Sequence, residues 1–138
     1  MIIEPLFRKV DCIRLYVSDL EAGLAFYRDQ LGHPLIWRTE REAGLRIPGS
    51  ETELVLQTER PGLEVDLSVA SADQAAVQWE LMGGKVVVPP FDIQIGRCVV
   101  VQDPWGNPYV LLDTSKGLLV TDEQGNVIGN EAAKSDKT

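Results

Sequence analysis

Residues 12–37 read CIRLYVSDLEAGLAFYRDQLGHPLIW, and residues 64–89 read EVDLSVASADQAAVQWELMGGKVVVP. Aligned without a gap, Leu15 falls on Leu67, Val17 on Val69, Tyr27 on Trp79 and Gly32 on Gly84, a constant offset of 52. A pattern recurring over such a length marks one supersecondary unit used twice. The unit opens on a strand, because VDCIRLYV (10–17) alternates. Ile13, Leu15 and Val17 share one face, and Cys12, Arg14 and Tyr16 the other. Ser18-Asp19 then supplies N-cap chemistry, with Glu21 in the first turn. Leu20, Leu24, Tyr27 and Leu31 recur at helical spacing, with Ala25 and Phe26 widening the stripe. Gly32 is placed to end this helix in a left-handed conformation.

Working outward, PLIWRTE (34–40), GLRI (44–47) and TELVLQT (52–58) are predicted strands, with a turn at Pro48-Gly49. In the last of them Glu53, Val55 and Gln57 oppose Leu54 and Leu56. The first copy is therefore β-α-β-β-β. Pro61-Gly62 leads into the second, where LEVDLSVA (63–70) sets Val65, Leu67 and Val69 against Glu64, Asp66 and Ser68. Ser71-Ala72-Asp73 caps a helix running to about Met82, which Gly83-Gly84 terminates. KVVVPP (85–90), GRCVVVQD (96–103) and PYVLLD (108–113) complete the second copy, the last two joined by a tight turn over 103–108. GLLVTDEQGNVIGN (117–130) is predicted to form a hairpin turning at Gln124-Gly125-Asn126, and EAAKSDKT (131–138) a frayed polar tail. The fold class is α+β, organised as module 1–59, module 60–115 and a C-terminal hairpin and tail over 116–138.

The 138 residues are 44% hydrophobic and 25% charged, the balance of a soluble globular protein. A module of this length buries too little surface to stand alone, so the two copies pack on each other or on a second chain. The net charge of −8 disfavours nucleic acid and anionic membrane as partners and mildly favours cationic ligands. Cys12 and Cys98 sit in strand-like apolar runs without metal or redox spacing, so reduced thiols are expected. No apolar run approaches membrane-spanning length and no leader-like segment opens the chain, which sets the expectation of a cytoplasmic protein.

Val17-Ser18-Asp19-Leu20, Phe26-Tyr27 and Leu31-Gly32, followed much later by Asp103-Pro104-Trp105-Gly106-Asn107, resemble the opening and closing signatures of vicinal-oxygen-chelate modules. The resemblance covers about residues 10–115. That superfamily contains glyoxalase I, extradiol dioxygenases, fosfomycin-modifying enzymes and bleomycin-resistance proteins. It implies two modules whose curved mixed sheets enclose a cavity. It also implies metal-ligand positions at the start of each first strand and in each last strand. These carry over to Cys12, Glu53, Glu64 and Val110, the last placed by matching Gly49 to Gly106. His33, the single histidine, follows Gly32 and is read as a turn residue. Val110 coordinates nothing, and a two-histidine facial triad is impossible. Cys12, Glu53 and Glu64 mix a soft thiolate with hard carboxylates. No metal or other cofactor is therefore expected; a divalent ion, if bound, would sit on those three. Cys12 otherwise reads as a small buried apolar residue.

The same resemblance turns Cys12, Arg14, Tyr16, Glu53, Val55, Gln57, Glu64, Asp66, Ser68, Val110 and Leu112 toward the cavity. Arg14 is the natural counter-charge to Glu64 or Asp66. Tyr16, Trp37 and Trp105 offer stacking area, whereas Trp79 reads as core. The ligand-binding set is thus Arg14, Tyr16, Trp37, Glu53, Glu64, Asp66, Ser68 and Trp105. The bleomycin-resistance branch implies a metal-independent binder of a small aromatic or cationic molecule, working as a homodimer. Two alternatives stand beside it: a divalent-metal-dependent lyase, isomerase or transferase of the glyoxalase type, and an interaction module working through the C-terminal hairpin.

Overall fold

The computed structural model describes residues 4–131. Their contacts divide into two compact units, one of Asp11–Val65 with Val120–Gly129 and one built mainly on Asp66–Leu119. The predicted tail from residue 132 onward lies outside the described residues.

The first unit takes β1 (Lys9–Tyr16), α1 (Leu20–Leu24), β2 (Leu35–Arg38), β3 (Glu42–Leu45) and β4 (Glu53–Gln57), its strands hydrogen-bonded in the order β2-β3-β4-β1. β1 and β4 run parallel, with Cys12 opposite Glu53, Arg14 opposite Val55 and Tyr16 opposite Gln57. β3 pairs antiparallel with both β2 and β4. Asp19 caps α1, its carboxylate accepting the Ala22 N–H at 2.9 Å. The helix does not continue as an α-helix to Leu31. Ala25–Gln30 is π-helical, and the Leu31 N–H reaches back five residues to the Phe26 carbonyl at 2.9 Å. The wider turn carries Phe26 and Leu31 off the apolar stripe, leaving both about half exposed. Leu20 and Leu24 stay on it and join Ala43, Leu45 and Leu56 in the core, with Leu15, Val17, Tyr27, Leu35 and Leu54 packed around them. Each such leucine contributes about 1.5–3 kcal/mol by leaving water. β3 begins two residues before the predicted GLRI strand, because the Thr39 hydroxyl accepts the Arg41 and Glu42 N–H groups and closes the preceding turn early.

The second unit repeats the plan. It holds β5 (Glu64–Ser68), which starts in the first unit, then α2 (Ala72–Leu81), β6 (Lys85–Ile93), β7 (Gly96–Gln102) and β8 (Pro108–Leu112), in the order β5-β8-β7-β6. Ser71 caps α2 through the Gln74 N–H. Asp113, only 5% exposed, accepts the Ala72 N–H at 2.8 Å, the Arg97 N–H at 3.0 Å and the Ser115 hydroxyl at 2.8 Å. Burial alone would push this carboxyl up, but these hydrogen bonds outweigh it and hold Asp113 below the usual carboxylate range. Trp79 is half-buried against Phe7 and Tyr109, its indole N–H on the Gln102 carbonyl at 2.9 Å. β6 runs on past the predicted Pro90, with register shifts on either side of Val88.

The strand registers correct one placement made from the sequence. Arg14 and Asp66 are counterparts at the offset of 52; Arg14 faces Val55 and Asp66 faces Val110. The last strands are therefore offset by 55 (Val55 to Val110), not by the 57 that matching Gly49 to Gly106 implies. Gly49 stands four residues before the start of β4, whereas Gly106 stands two before the start of β8. The counterpart of Glu53 is Pro108, and Val110 answers to Val55.

The chain closes with a two-stranded sheet of β9 (Leu119–Thr121) and β10 (Val127–Asn130), turning where the sequence predicts it. Its turn belongs to the first unit. The Arg38 N–H donates to the Gly125 carbonyl at 2.7 Å, and Arg38 forms a parallel bridge with Asn126. The fold is thus α+β, as predicted: two β-α-β-β-β halves of mixed sheet and a small C-terminal sheet. Cys12 and Cys98 are both buried. Among the described residues no helix is long and apolar enough to cross a membrane.

Candidate functional site

Because Leu15, Leu54 and Leu56 face the helix of the first unit, strand alternation turns Cys12, Arg14, Glu53, Val55 and Gln57 to the opposite face of its sheet. Three features organise that face. Arg14, from the middle of β1, forms a close ion pair with Glu42 at the start of β3, and its Nε lies 3.4 Å from a Glu64 oxygen. The other Glu64 oxygen takes the Arg60 guanidinium at 2.8 Å. Trp37, from β2, lies across Gly44, where any methyl group would overlap its ring, and so reaches Glu53 with its indole N–H at 2.8 Å.

Arg60 is presented by a turn that Gln57 ties down. The Gln57 side-chain oxygen accepts the Glu59 N–H at 2.8 Å and the Arg60 N–H at 2.9 Å, and its amide donates to the Arg60 carbonyl. A glutamine 3% exposed is stable there because these bonds replace water. Cys12 (4% exposed) and Val55 (2%) form the floor, and Tyr16 stands exposed at the strand end. The chemistry on offer is three carboxylates against two guanidiniums, beside an indole and a phenol.

The structure brings together five of the predicted residues: Arg14 with Glu64, Trp37 with Glu53, and Tyr16 on the same face. Asp66, Ser68 and Trp105 belong to the second unit. There Asp66 is buried opposite Val110, and the Ser68 hydroxyl faces the Lys9 carbonyl at 3.4 Å. Trp105 is 83% exposed at the apex of its turn. Two participants escape a reading by strand alternation. Glu42 lies in a stretch read as a loop, and Arg60 lies in the linker, although its spacing of four from Glu64 was a visible signal. His33 lies in the segment between the first helix and β2, its ring facing the Arg46 carbonyl at 3.1 Å.

Two open clefts lie on the first unit. One, about 570 Å3, is lined by Arg28, Leu35, Arg38, Thr39, Glu40, Gln124, Asn126 and Val127. The other, about 410 Å3, is lined by Thr39, Glu40, Arg41, Glu42 and Glu59. None of the predicted ligand-binding residues lines either.

Residues 9–111 match the family model of the glyoxalase/bleomycin resistance protein/dioxygenase superfamily. The chain belongs to this superfamily. No curated protein matches it in sequence. Solved structures agree on the superfamily fold. Methylmalonyl-CoA epimerase from Mycobacterium tuberculosis superposes with a TM-score of 0.67 at 21% identity, over 82% of this chain and 92% of the epimerase. An NAD-dependent benzaldehyde dehydrogenase from Legionella pneumophila gives 0.64 at 20% identity, over 75% and 97%. Homoprotocatechuate 2,3-dioxygenase from Brevibacterium fuscum gives 0.61 at 25% identity, over 80% of this chain but 37% of the dioxygenase.

The metal positions implied by the superfamily resemblance can be tested against the donors present. Glu53 already accepts an indole N–H, and Glu64 holds a guanidinium on each oxygen. Cys12 is a buried thiol, and the corrected fourth position, Pro108, offers no donor. Among the described residues no cluster of three or more His, Cys, Asp or Glu side chains is arranged to hold a metal ion. The two guanidinium groups on Glu64 repel a divalent cation, and the Cys12 thiol is the wrong partner for a hard one. This donor set does not fit the metal.

Proposed function

We propose that the chain is a metal-independent binder of a small aromatic or cationic molecule on the face built by Arg14, Trp37, Glu42, Glu53 and Glu64. The observation that carries this reading is the engagement of both candidate metal carboxylates, Glu53 by the Trp37 indole and Glu64 by Arg14 and Arg60. A monocation complements three carboxylates facing two guanidiniums, and Trp37 and Tyr16 give it π faces. Asp66, Ser68 and Trp105, which belong to the second unit, are proposed ligand contacts of that unit. The working form in this reading is a cytoplasmic homodimer without a cofactor. The docking of the hairpin turn on β2 favours a structural part for that segment over a free interaction arm.

Titration with benzyltrimethylammonium in the presence of a chelator tests the reading. Saturable binding is expected, weakened about tenfold by Glu64→Gln, which removes one charged partner. Stoichiometric binding of zinc, nickel or manganese that disappears in Glu53→Ala and Glu64→Ala would overturn it in favour of a metal-dependent lyase or isomerase.

A further inference from the structure

We infer that the 570 Å3 cleft between the C-terminal hairpin turn and β2 is a separate binding site, for a small zwitterion carrying a carboxylate and an ammonium group. One wall of the cleft, Gln124, Asn126 and Val127, lies beyond the residues 9–111 that match the superfamily model. Its volume is that of a small-molecule site. Hydrogen bonds hold the hairpin wall in shape. The Asp122 carboxylate accepts the Gln124 and Asn126 N–H groups, both at 2.9 Å, and the Gly125 carbonyl takes the Arg38 N–H.

The opposite wall supplies the charges. Arg28 and Arg38 line the cleft, each held by one acidic residue, Asp29 at 2.9 Å and Glu21 at 2.6 Å. A guanidinium has more N–H donors than one carboxylate occupies, so both keep donors for a second acceptor in fork geometry. Glu40 lines the same cleft with a negative charge. A simple anion would meet the negative charge of Glu40. A simple cation would meet two arginines. A zwitterion satisfies both signs, its carboxylate on Arg28 and Arg38 and its ammonium on Glu40. Leu35 and Val127 leave room for an apolar side group.

The test is an NMR titration of the full chain with leucine, 4-methylpentanoate (leucine without the amine) and 3-methylbutylamine (leucine without the carboxylate). Leucine should shift the amides of residues 35–40 and 124–127 saturably and bind about tenfold more tightly than either half-molecule, the effect of one charge-assisted contact. Arg38→Gln should weaken leucine about tenfold, and Glu40→Gln should abolish its advantage over 4-methylpentanoate. Arg28→Gln serves as a second variant should Arg38→Gln disturb the fold. Absence of saturable shifts with leucine, shifts confined to other residues, or half-molecules that bind as well as leucine would each overturn the inference. Binding of benzyltrimethylammonium at the inner face is a separate readout, so the two proposals fail independently.

Discussion

Asp103-Pro104-Trp105-Gly106-Asn107 and Asp122-Glu123-Gln124-Gly125-Asn126 are one turn in two settings. In each, the aspartate carboxylate accepts the N–H groups two and four residues ahead, at 2.8–2.9 Å, and the amide of the closing asparagine. In each, the glycine is left-handed, with φ of 93° and 86°. The first turn joins β7 to β8 and holds Trp105 out in solvent. The second joins β9 to β10, docks on β2 and walls a cleft. Local sequence sets the conformation of such a turn; its neighbours set its use.

The sharpest way to break this comparison is to change the two glycines. A left-handed alanine costs about 1–2 kcal/mol at either site. A methyl on Gly106 enters open space, whereas one on Gly125 comes within 3.0 Å of a Leu35 methyl. Gly125→Ala should therefore lower the melting temperature more than Gly106→Ala and disturb the amides of β2. Equal losses by thermal melting would mean that docking contributes nothing.

Acid titration probes what the turns share. The Asp103 carboxyl is held below its usual range chiefly by the Asn107 side chain, and the Asp122 carboxyl chiefly by the Asn126 backbone N–H. A depressed carboxyl contributes stability that is complete above its unfolded value, near about 4, and lost as pH falls through the folded value. Asp103→Asn and Asp122→Asn should each flatten the acid limb of stability against pH, measured by urea melts, and by similar amounts. The smallest expected effect is that of Trp105→Ala, within about 0.5 kcal/mol in stability because the ring covers almost nothing.

Much of this was legible in the chain. The offset of 52 located both first strands and both helices, and charge compensation named Glu64 or Asp66 as the counter-charge to Arg14, of which Glu64 lies 3.4 Å away. The π-helical segment was not legible, because Leu31 keeps α-helical spacing in sequence while the turn beneath it widens. Nor was the true register of the last strands, because the stretches after Gly49 and Gly106 differ by two residues and only hydrogen bonding reveals which strand positions correspond. Glu42 was hidden by a strand that starts early behind Thr39. The recurrence of Asp-x-x-Gly-Asn was visible at an offset of 19 and marks the hairpin turn as the twin of the turn that closes the second module. Its docking on β2 needed the tertiary structure.

The Trp37 indole over Gly44 has an evolutionary consequence. The ring reaches Glu53 only because residue 44 lacks a methyl group. Glycine and alanine codons differ by one base, so a single mutation would displace the ring and break its hydrogen bond to Glu53. The Trp37–Glu53 contact thus rests on an absent atom, one base change away from being lost.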